Sequence, residues 1–274
     1  MIKLIAIDLD GTMYTSDRVI TGPVREALVH AKENGLQTVI VTGRGRRGAE
    51  IALDTLSMDF PYICSAGALL RTGKIGKTVH AWTFHEHEEF MQVINFSRQN
   101  GIGIIAEPEE GAPYWFGPDS MNEIMDPLTA KEANKSIRSF MPEKDLDQPL
   151  LKATITADPQ KLSEAEKVIR AGCPSIHQVY SGIQYIDLTA IDVNKGSALK
   201  AFAEYMDLDA SEIAAIGDQE IDLQMLQYAG LPIAMSNAVP SLLSTAKWVA
   251  PSNDNDGVAW AIENILIQNK KRFQ

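Results

Sequence analysis

Residues 4 to 12 read "LIAIDLDGT", an apolar run that finishes in two aspartates one residue apart and then turns through Gly11 and Thr12. Side chains at i and i+2 leave a strand on the same side, so Asp8 and Asp10 emerge together. Two carboxylates crowded at the end of a buried strand repel each other and lose solvation, which calls for a metal cation or a shared proton. Taken alone, the stretch also has a plainer account, a turn at Asp10-Gly11 with Asp8 as a cap or ion pair.

The same short apolar runs recur outward from it. "TVIVT" at 38 to 42 and "YICSA" at 62 to 66 are as buried in character as "LIAID", the pattern of a parallel sheet covered on both faces. The alternation predicts a strand at 3 to 8, a helix at about 22 to 34 with Pro23 in its first turn and Gly35 at its C-cap, a strand at 37 to 41, a helix at about 45 to 56 and a strand at 61 to 64. The rhythm returns from 195: helix 195 to 207, strand "IAAIGD", helix 219 to 228, strand "LPIAM", helix 238 to 245, strand "KWVA" and helix 256 to 268. The fold class is α/β, a doubly wound parallel sheet.

Residues 84 to 188 change character, with strand-like "APYWFG", "LLKATITAD", "IHQVYSG" and "IQYIDLTA" and helices near 86 to 99, 129 to 140 and 159 to 171. They predict an inserted α/β domain, leaving 1 to 83 with 189 to 274 as one core. "AEPEEGAPYWFGPDS" reads as a loop or irregular hairpin within the insertion.

The chain has 274 residues, 36 acidic against 25 basic, and a net charge of −11. Such a field repels nucleic acid and anionic membranes as main partners, although a local cation can still hold a small phosphate. Cys64 and Cys173 have no metal-ligand spacing and read as small core residues. The opening apolar stretch is too short for a signal peptide, and no run reaches the ~18 apolar residues of a membrane span, so a cytoplasmic protein is expected.

In open α/β sheets ligands sit beyond the carboxyl ends of the strands. Four places there stand out. Asp8 and Asp10 are the first. Thr42 follows the second strand, with Gly43 and Arg44 turning the chain into a helix; it offers a hydroxyl and an amide to an anion, or else caps that helix. Lys195 opens a helix, where the macrodipole opposes it unless it meets an anion. Asp218 ends a strand and Asp222 lies one turn on, which equally suits the dipole of the following helix. Together they supply hard oxygen ligands for Mg²⁺ and donors for phosphate.

"DLDGT" at 8 to 12, "VTGR" at 41 to 44, "NKGSAL" at 194 to 199, "GDQEID" at 217 to 222, and the tail "MSNAVPSL" with "SNDNDGVAWAI" resemble the haloacid dehalogenase superfamily, in its Cof-type subfamily IIB phosphatases. The resemblance implies a Rossmann-like core with an inserted C2-type cap, and a Mg²⁺-dependent phosphatase of small phosphorylated metabolites such as a sugar phosphate, flavin mononucleotide or pyridoxal phosphate. It implies Asp8 as nucleophile through an aspartyl-phosphate and Asp10 as general acid and base. Thr42 and the amides after Asp8 would hold phosphate oxygens, drawing in Leu9, Gly11, Thr12, Gly43 and Arg44. Lys195 would neutralise charge and orient Asp8, and Mg²⁺ would sit on Asp8, the Asp10 carbonyl and Asp218 with Asp222 in support.

Two departures from the pattern are Ala66 in "SAGAL" and Ile221 in "EID", where relatives usually carry asparagine. A hexose phosphate phosphomutase and a phosphometabolite-binding protein with an eroded site remain alternatives. Substrate choice is expected in the insertion, where Tyr114, Trp115 and Phe116 could stack on a ring or simply pack, and where "YSGIQYIDL" offers further contacts. His85 and His87 read as a solvated helix start, and the linkers near 82 to 84 and 189 to 194 as the hinge of a lid.

Overall fold

The computed structural model describes residues 1–84, 87–109, 112–117, 138–139 and 149–271. Two compact units divide it, one from Met1–His80 with Asn194–Gln274 and one from Ala81–Val193.

The first unit is built on an eight-stranded sheet. β1 (Leu4–Ile7) lies at its middle between β2 (Gln37–Val41) and β12 (Ile213–Gly217), parallel to both. β13 (Leu231–Met235) and β14 (Trp248–Ala250) extend it parallel on one side. β3 (Tyr62–Cys64), β4 (Leu69–Arg71) and β5 (Thr78–Ala81) extend it on the other, with β4 antiparallel to β3. Every residue of β1, β12 and β13 is buried, as their unbroken apolar runs require of a sheet covered on both faces.

The crossover helices are α1 (Gly22–Glu33), α2 (Arg46–Leu56), α5 (Lys195–Tyr205), α6 (Leu223–Tyr228), α7 (Pro240–Thr245) and α8 (Gly257–Lys271). α1 starts at the Thr21 hydroxyl, which accepts from the Val24 amide, and ends at Asn34 with Gly35 left-handed beyond it. α5 has a full capping box: the Asn194 carboxamide accepts from the Gly196 and Ser197 amides at 2.9 Å each, and the Ser197 hydroxyl accepts from the Asn194 amide at 3.0 Å. That cap fixes Lys195 as the first helical residue.

The second unit holds a six-stranded sheet in the order β10 (Ile176–Gly182), β11 (Tyr185–Ala190), β9 (Leu150–Thr156), β6 (Gly103–Pro108), β7 (Tyr114–Phe116) and β8 (Arg138–Ser139). Residues of α3 (His87–Asn100) and α4 (Pro159–Gly172), among them Phe90, Ile94, Leu162 and Ile169, bury Ile104, Ile155, Ile186 and Leu188 of one sheet face. Tyr114 belongs to this core and Phe116 packs against it, so these two aromatics have a packing role.

Some sequence expectations are corrected. The helix foreseen at 129 to 140 falls mostly outside the described residues, and its two described positions, Arg138–Ser139, form a short strand instead. The helix foreseen from 219 divides into a 3₁₀ turn, Glu220–Asp222, and α6, because the Asp222 carboxylate bonds back to the amides of Asp218 and Gln219. "AEPEEGAPYWFGPDS" runs from β6 into β7, whose antiparallel pairing agrees with the hairpin of the two expected alternatives. β6 itself and the β4–β5 pair were not foreseen. His87 begins α3, while His85 lies outside the described residues. Among the described residues no helix is long and apolar enough to cross a membrane.

Candidate active site

Neighbouring strands β12, β1 and β2 deliver Asp218, Asp8 and Thr42 at their carboxyl ends, so sheet order alone gathers residues more than 200 positions apart. The turn after β1 must pass close to the end of β12. Gly11 makes that possible: its φ is +77°, and a Cβ there would come within 2.3 Å of Asp218 Oδ2. Thr12, next in the turn, donates its hydroxyl to Asp218 Oδ1 at 2.9 Å.

The cap of α5 aims Lys195 into the same place. Its Nζ lies 2.6 Å from Asp8 Oδ1 and 2.5 Å from Asp222 Oδ1, and the side chain is only 1% exposed. A lysine that opens a helix is thus held against the macrodipole by two carboxylates. Asp222 is fully engaged, since its Oδ2 accepts from the Asp218 and Gln219 amides at 3.1 Å each. Gln219 also donates its side-chain amide to Asp218 Oδ2.

Ligand atoms of Asp8, Asp218 and Asp222 lie within 4.8 Å of one another, and all three residues are buried. One ammonium faces three carboxylates. Burial pushes the Asp8 carboxyl well above the ordinary carboxylate range, the charge of Asp222 adds to it, and Lys195 opposes the rise. Burial, then Asp222, push Asp218 up to about 6. Burial would lower the Lys195 ammonium, but Asp222 and Asp8 outweigh it and its pKa is raised. A surplus of buried negative charge on hard oxygen donors is a site that could hold a metal ion such as Mg²⁺, which prefers carboxylate oxygens.

Asp10 and Arg44 sit apart from that triad. Arg44 grips Asp10 through both oxygens, Nε to Oδ2 at 2.7 Å and Nη2 to Oδ1 at 2.5 Å, and its guanidinium lies 4.9 Å from the centre of the Tyr14 ring. The Leu9 side chain is buried in the core, and its carbonyl accepts from the Tyr14 amide.

Thr42 is fully buried, and two expectations for it change. Its amide donates to the Ile63 carbonyl within the β2–β3 pairing, so it is committed to the sheet rather than offered to an anion. Its hydroxyl oxygen accepts from the Arg44 amide at 3.1 Å, and α2 is capped by Gly45 without a side-chain bond, so Thr42 is no N-cap. The hydroxyl proton is still there to donate. Gly43 lies in the same turn.

The departures from the family pattern fall at packed positions. Ala66 is 2% and Ile221 7% exposed. Ser65, Ala66 and Gly67 run through left-handed φ values of +51°, +57° and +109°, and a Cβ on Gly67 would meet the Asn194 carbonyl at 2.4 Å. This strained turn packs against the cap that presents Lys195.

The model of the haloacid dehalogenase-like hydrolase family matches residues 5–262. The chain belongs to the haloacid dehalogenase-like hydrolases. This hydrolase is 31% identical to "Putative phosphatase M6_Spy0533" of Streptococcus pyogenes serotype M6, over 97% of this chain and 99% of the relative. It is 27% identical to 5-amino-6-(5-phospho-D-ribitylamino)uracil phosphatase YwtE of Bacillus subtilis, over 96% and 98% of the two chains. A crystal structure of a haloacid dehalogenase-like hydrolase from Bacteroides thetaiotaomicron superposes with a TM-score of 0.83 at 25% identity, covering 97% of this chain and 100% of that one.

Sequence reasoning missed four residues that shape this hydrolase's site: Tyr14, Gln219, Asn237 and Asn253. Asn237 donates to the Gly11 carbonyl at 2.9 Å and accepts from the Asn253 amide, while the Asn253 side chain donates to the Tyr14 carbonyl. Both asparagines fall in the two tail motifs, so a signal was present without a role attached to it.

Proposed function

We propose that this hydrolase is a Mg²⁺-dependent phosphatase of small phosphorylated metabolites, working through an aspartyl-phosphate on Asp8. One observation carries the reading: Lys195, itself held by Asp222, fixes Oδ1 of a buried Asp8, while its Oδ2 accepts no hydrogen bond from any described residue. A carboxylate with one oxygen fixed and the other open is poised for in-line attack. The donor set fits Mg²⁺, which would be held by Asp8, the Asp10 carbonyl and Asp218. Asp222, both of whose oxygens are taken, would orient Lys195 and Asp218 in support. When bound, Mg²⁺ supplies charge neutralisation and polarisation of the phosphoryl oxygens.

The chain's own residues then do the following. The Thr42 hydroxyl and the amides of Leu9, Asp10 and Gly11 orient the phosphoryl group, with Gly43 shaping the turn beside them. The open oxygen of Asp8 bonds to phosphorus as the bond to the ester oxygen breaks, and that oxygen leaves with the electron pair and takes a proton from Asp10. Asp10 next takes a proton from a water whose oxygen attacks phosphorus. The bond to Asp8 breaks, its carboxylate returns, and inorganic phosphate departs. Lys195 balances the charge that builds during both steps. That a relative is named for a phosphorylated ribityl compound supports a phosphomonoester of a polyol or sugar as the substrate class. The inserted unit is proposed to act as the lid that selects it.

The test is phosphate release from a panel of phosphomonoesters with and without Mg²⁺. Turnover that needs Mg²⁺ and disappears in Asp8→Asn is expected. Silence across the panel, turnover that survives Asp8→Asn, or interconversion of hexose 1- and 6-phosphates without free phosphate would overturn the proposal.

A further inference from the structure

The pair formed by Arg44 and Asp10 has a geometry that phosphate binding does not explain. Arg44 offers a planar fork of N–H donors, and here two of them are spent on Asp10, one to each oxygen, at 2.5 and 2.7 Å. The other side of the arrangement is Tyr14, whose ring the guanidinium overlies at 4.9 Å. Tyr14 is 6% exposed and its amide and carbonyl are tied to Leu9 and Asn253, so the ring is a rigid support. Asp10 by contrast is the exposed partner, with 55% of its side chain in solvent against 26% for Arg44. An exposed aspartate with one rotatable bond beyond Cα–Cβ has several positions open to it, and a bidentate fork selects one. The alternative for Asp10 is to swing toward the carboxylates of the triad, which like charge opposes.

We propose that Arg44 is a positioning residue for Asp10: clamped between the Tyr14 ring and the Asp10 carboxylate, it fixes where the proton donor of the reaction stands. The inference rests on the phosphatase reading. It makes a distinctive demand on leaving groups. An alkyl phosphate expels a basic alkoxide that needs a well-placed proton, whereas p-nitrophenyl phosphate expels an acidic phenol that does not. Lysine, a point charge without the fork, cannot reproduce the clamp.

The experiment compares glycerol 2-phosphate with p-nitrophenyl phosphate in the Mg²⁺-loaded full chain, as wild type, Arg44→Gln, Arg44→Lys, Asp10→Asn and the Asp10→Asn/Arg44→Gln double variant. The ratio of kcat on the alkyl ester to kcat on the aryl ester is expected to fall about 10- to 100-fold in Arg44→Gln, with little recovery in Arg44→Lys. In the Asp10→Asn background, Arg44→Gln should produce no further fall in that ratio, because the group it positions is gone. Tyr14→Leu should lower the ratio in the same direction by a smaller factor. An equal rise in KM on both esters with the ratio unchanged would make Arg44 a phosphate clamp and overturn the proposal. An equal loss of kcat on both esters with a lowered thermal midpoint would make it structural, with the same consequence. A wild type silent on both esters and across the phosphomonoester panel would instead refute the phosphatase reading itself.

Discussion

Each of the two units buries a lysine among carboxylates, and the two clusters are held in different ways. In the first unit Lys195 meets Asp8 and Asp222 at 2.6 and 2.5 Å with Asp218 beside them, so three carboxylates share one cation. In the second, Lys152 lies 3.4 Å from Asp187 and 3.5 Å from Glu107, and Asp187 also accepts from the Thr154 hydroxyl at 2.6 Å. There the partners stand on adjacent antiparallel strands, with Glu107 directly opposite Lys152 and Asp187 directly opposite Thr154. Ordinary strand pairing assembles that cluster, and no left-handed residue falls within β6, β9 or β11. The Asp8 cluster hangs on turns, with left-handed backbone at Gly11, Ser65, Ala66 and Gly67 around it. The lesson is that a nearly balanced buried cluster serves as a cross-strand brace, while an unbalanced one kept in place by strained turns is a site that could hold a cation.

Removing each lysine breaks the comparison most directly. Lys195→Met should lower kcat on a phosphomonoester by on the order of 10²- to 10³-fold, measured by phosphate release at saturating substrate. Lys152→Met should leave the buried Asp187 and the half-buried Glu107 without their lysine and cost about 3 to 5 kcal/mol, read from urea unfolding. A Lys152→Met change that costs nothing would dissolve the brace interpretation.

Acidity separates the clusters next. A carboxyl whose folded pKa lies above its unfolded value supports the fold below the unfolded pKa and loses that contribution as pH climbs through the folded one. With Asp218 pushed up from 3.8 to about 6, metal-free protein should lose up to about 3 kcal/mol between about pH 4 and pH 6 from this group, and Asp8 acts in the same direction. Asp218→Asn should flatten that slope in denaturation curves taken across the window. Lys152 does not titrate there: burial alone would lower its ammonium, but Asp187 and Glu107 outweigh it and raise it above 10.5. Saturating Mg²⁺ at pH 7 should restore the lost stability, because it binds the ionised carboxylates, and a chelator should remove that gain.

The smallest effect probes the strained turn. Ala66→Gly or Ala66→Asn accepts the left-handed φ of +57° more readily than alanine does, and should stabilise the protein by about 0.5 to 1 kcal/mol in the same denaturation assay. No gain would show that the neighbouring chain, not the residue, carries the strain.

Much of the core was legible from one sequence, because parallel strands buried on both faces leave short unbroken apolar runs, and β13 matches its predicted bounds residue for residue. The acids at strand ends were legible for the same reason: each directly follows such a run, and although a turn, a cap or a helix dipole would account for any one of them, the set pointed to a site. What escaped was whatever depends on a partner distant in sequence. Thr42 shows it, since only the pairing of β2 with β3 reveals that its amide is already spent on Ile63. Lys152 shows it as well, because a lysine in "LLKATIT" carries no mark of the two acids that face it across β6 and β11.

The sequence by itself determined the strand ends at which Asp8, Thr42 and Asp218 emerge, through the period of its apolar runs and its capping residues. Only the tertiary structure decided that Lys195 spans Asp8 and Asp222, that Asp222 has no oxygen to spare, and that Arg44 holds Asp10 against Tyr14. The physical reason is range: helix and strand periodicity act over a few residues, whereas charges choose partners by distance in space, which sheet order sets.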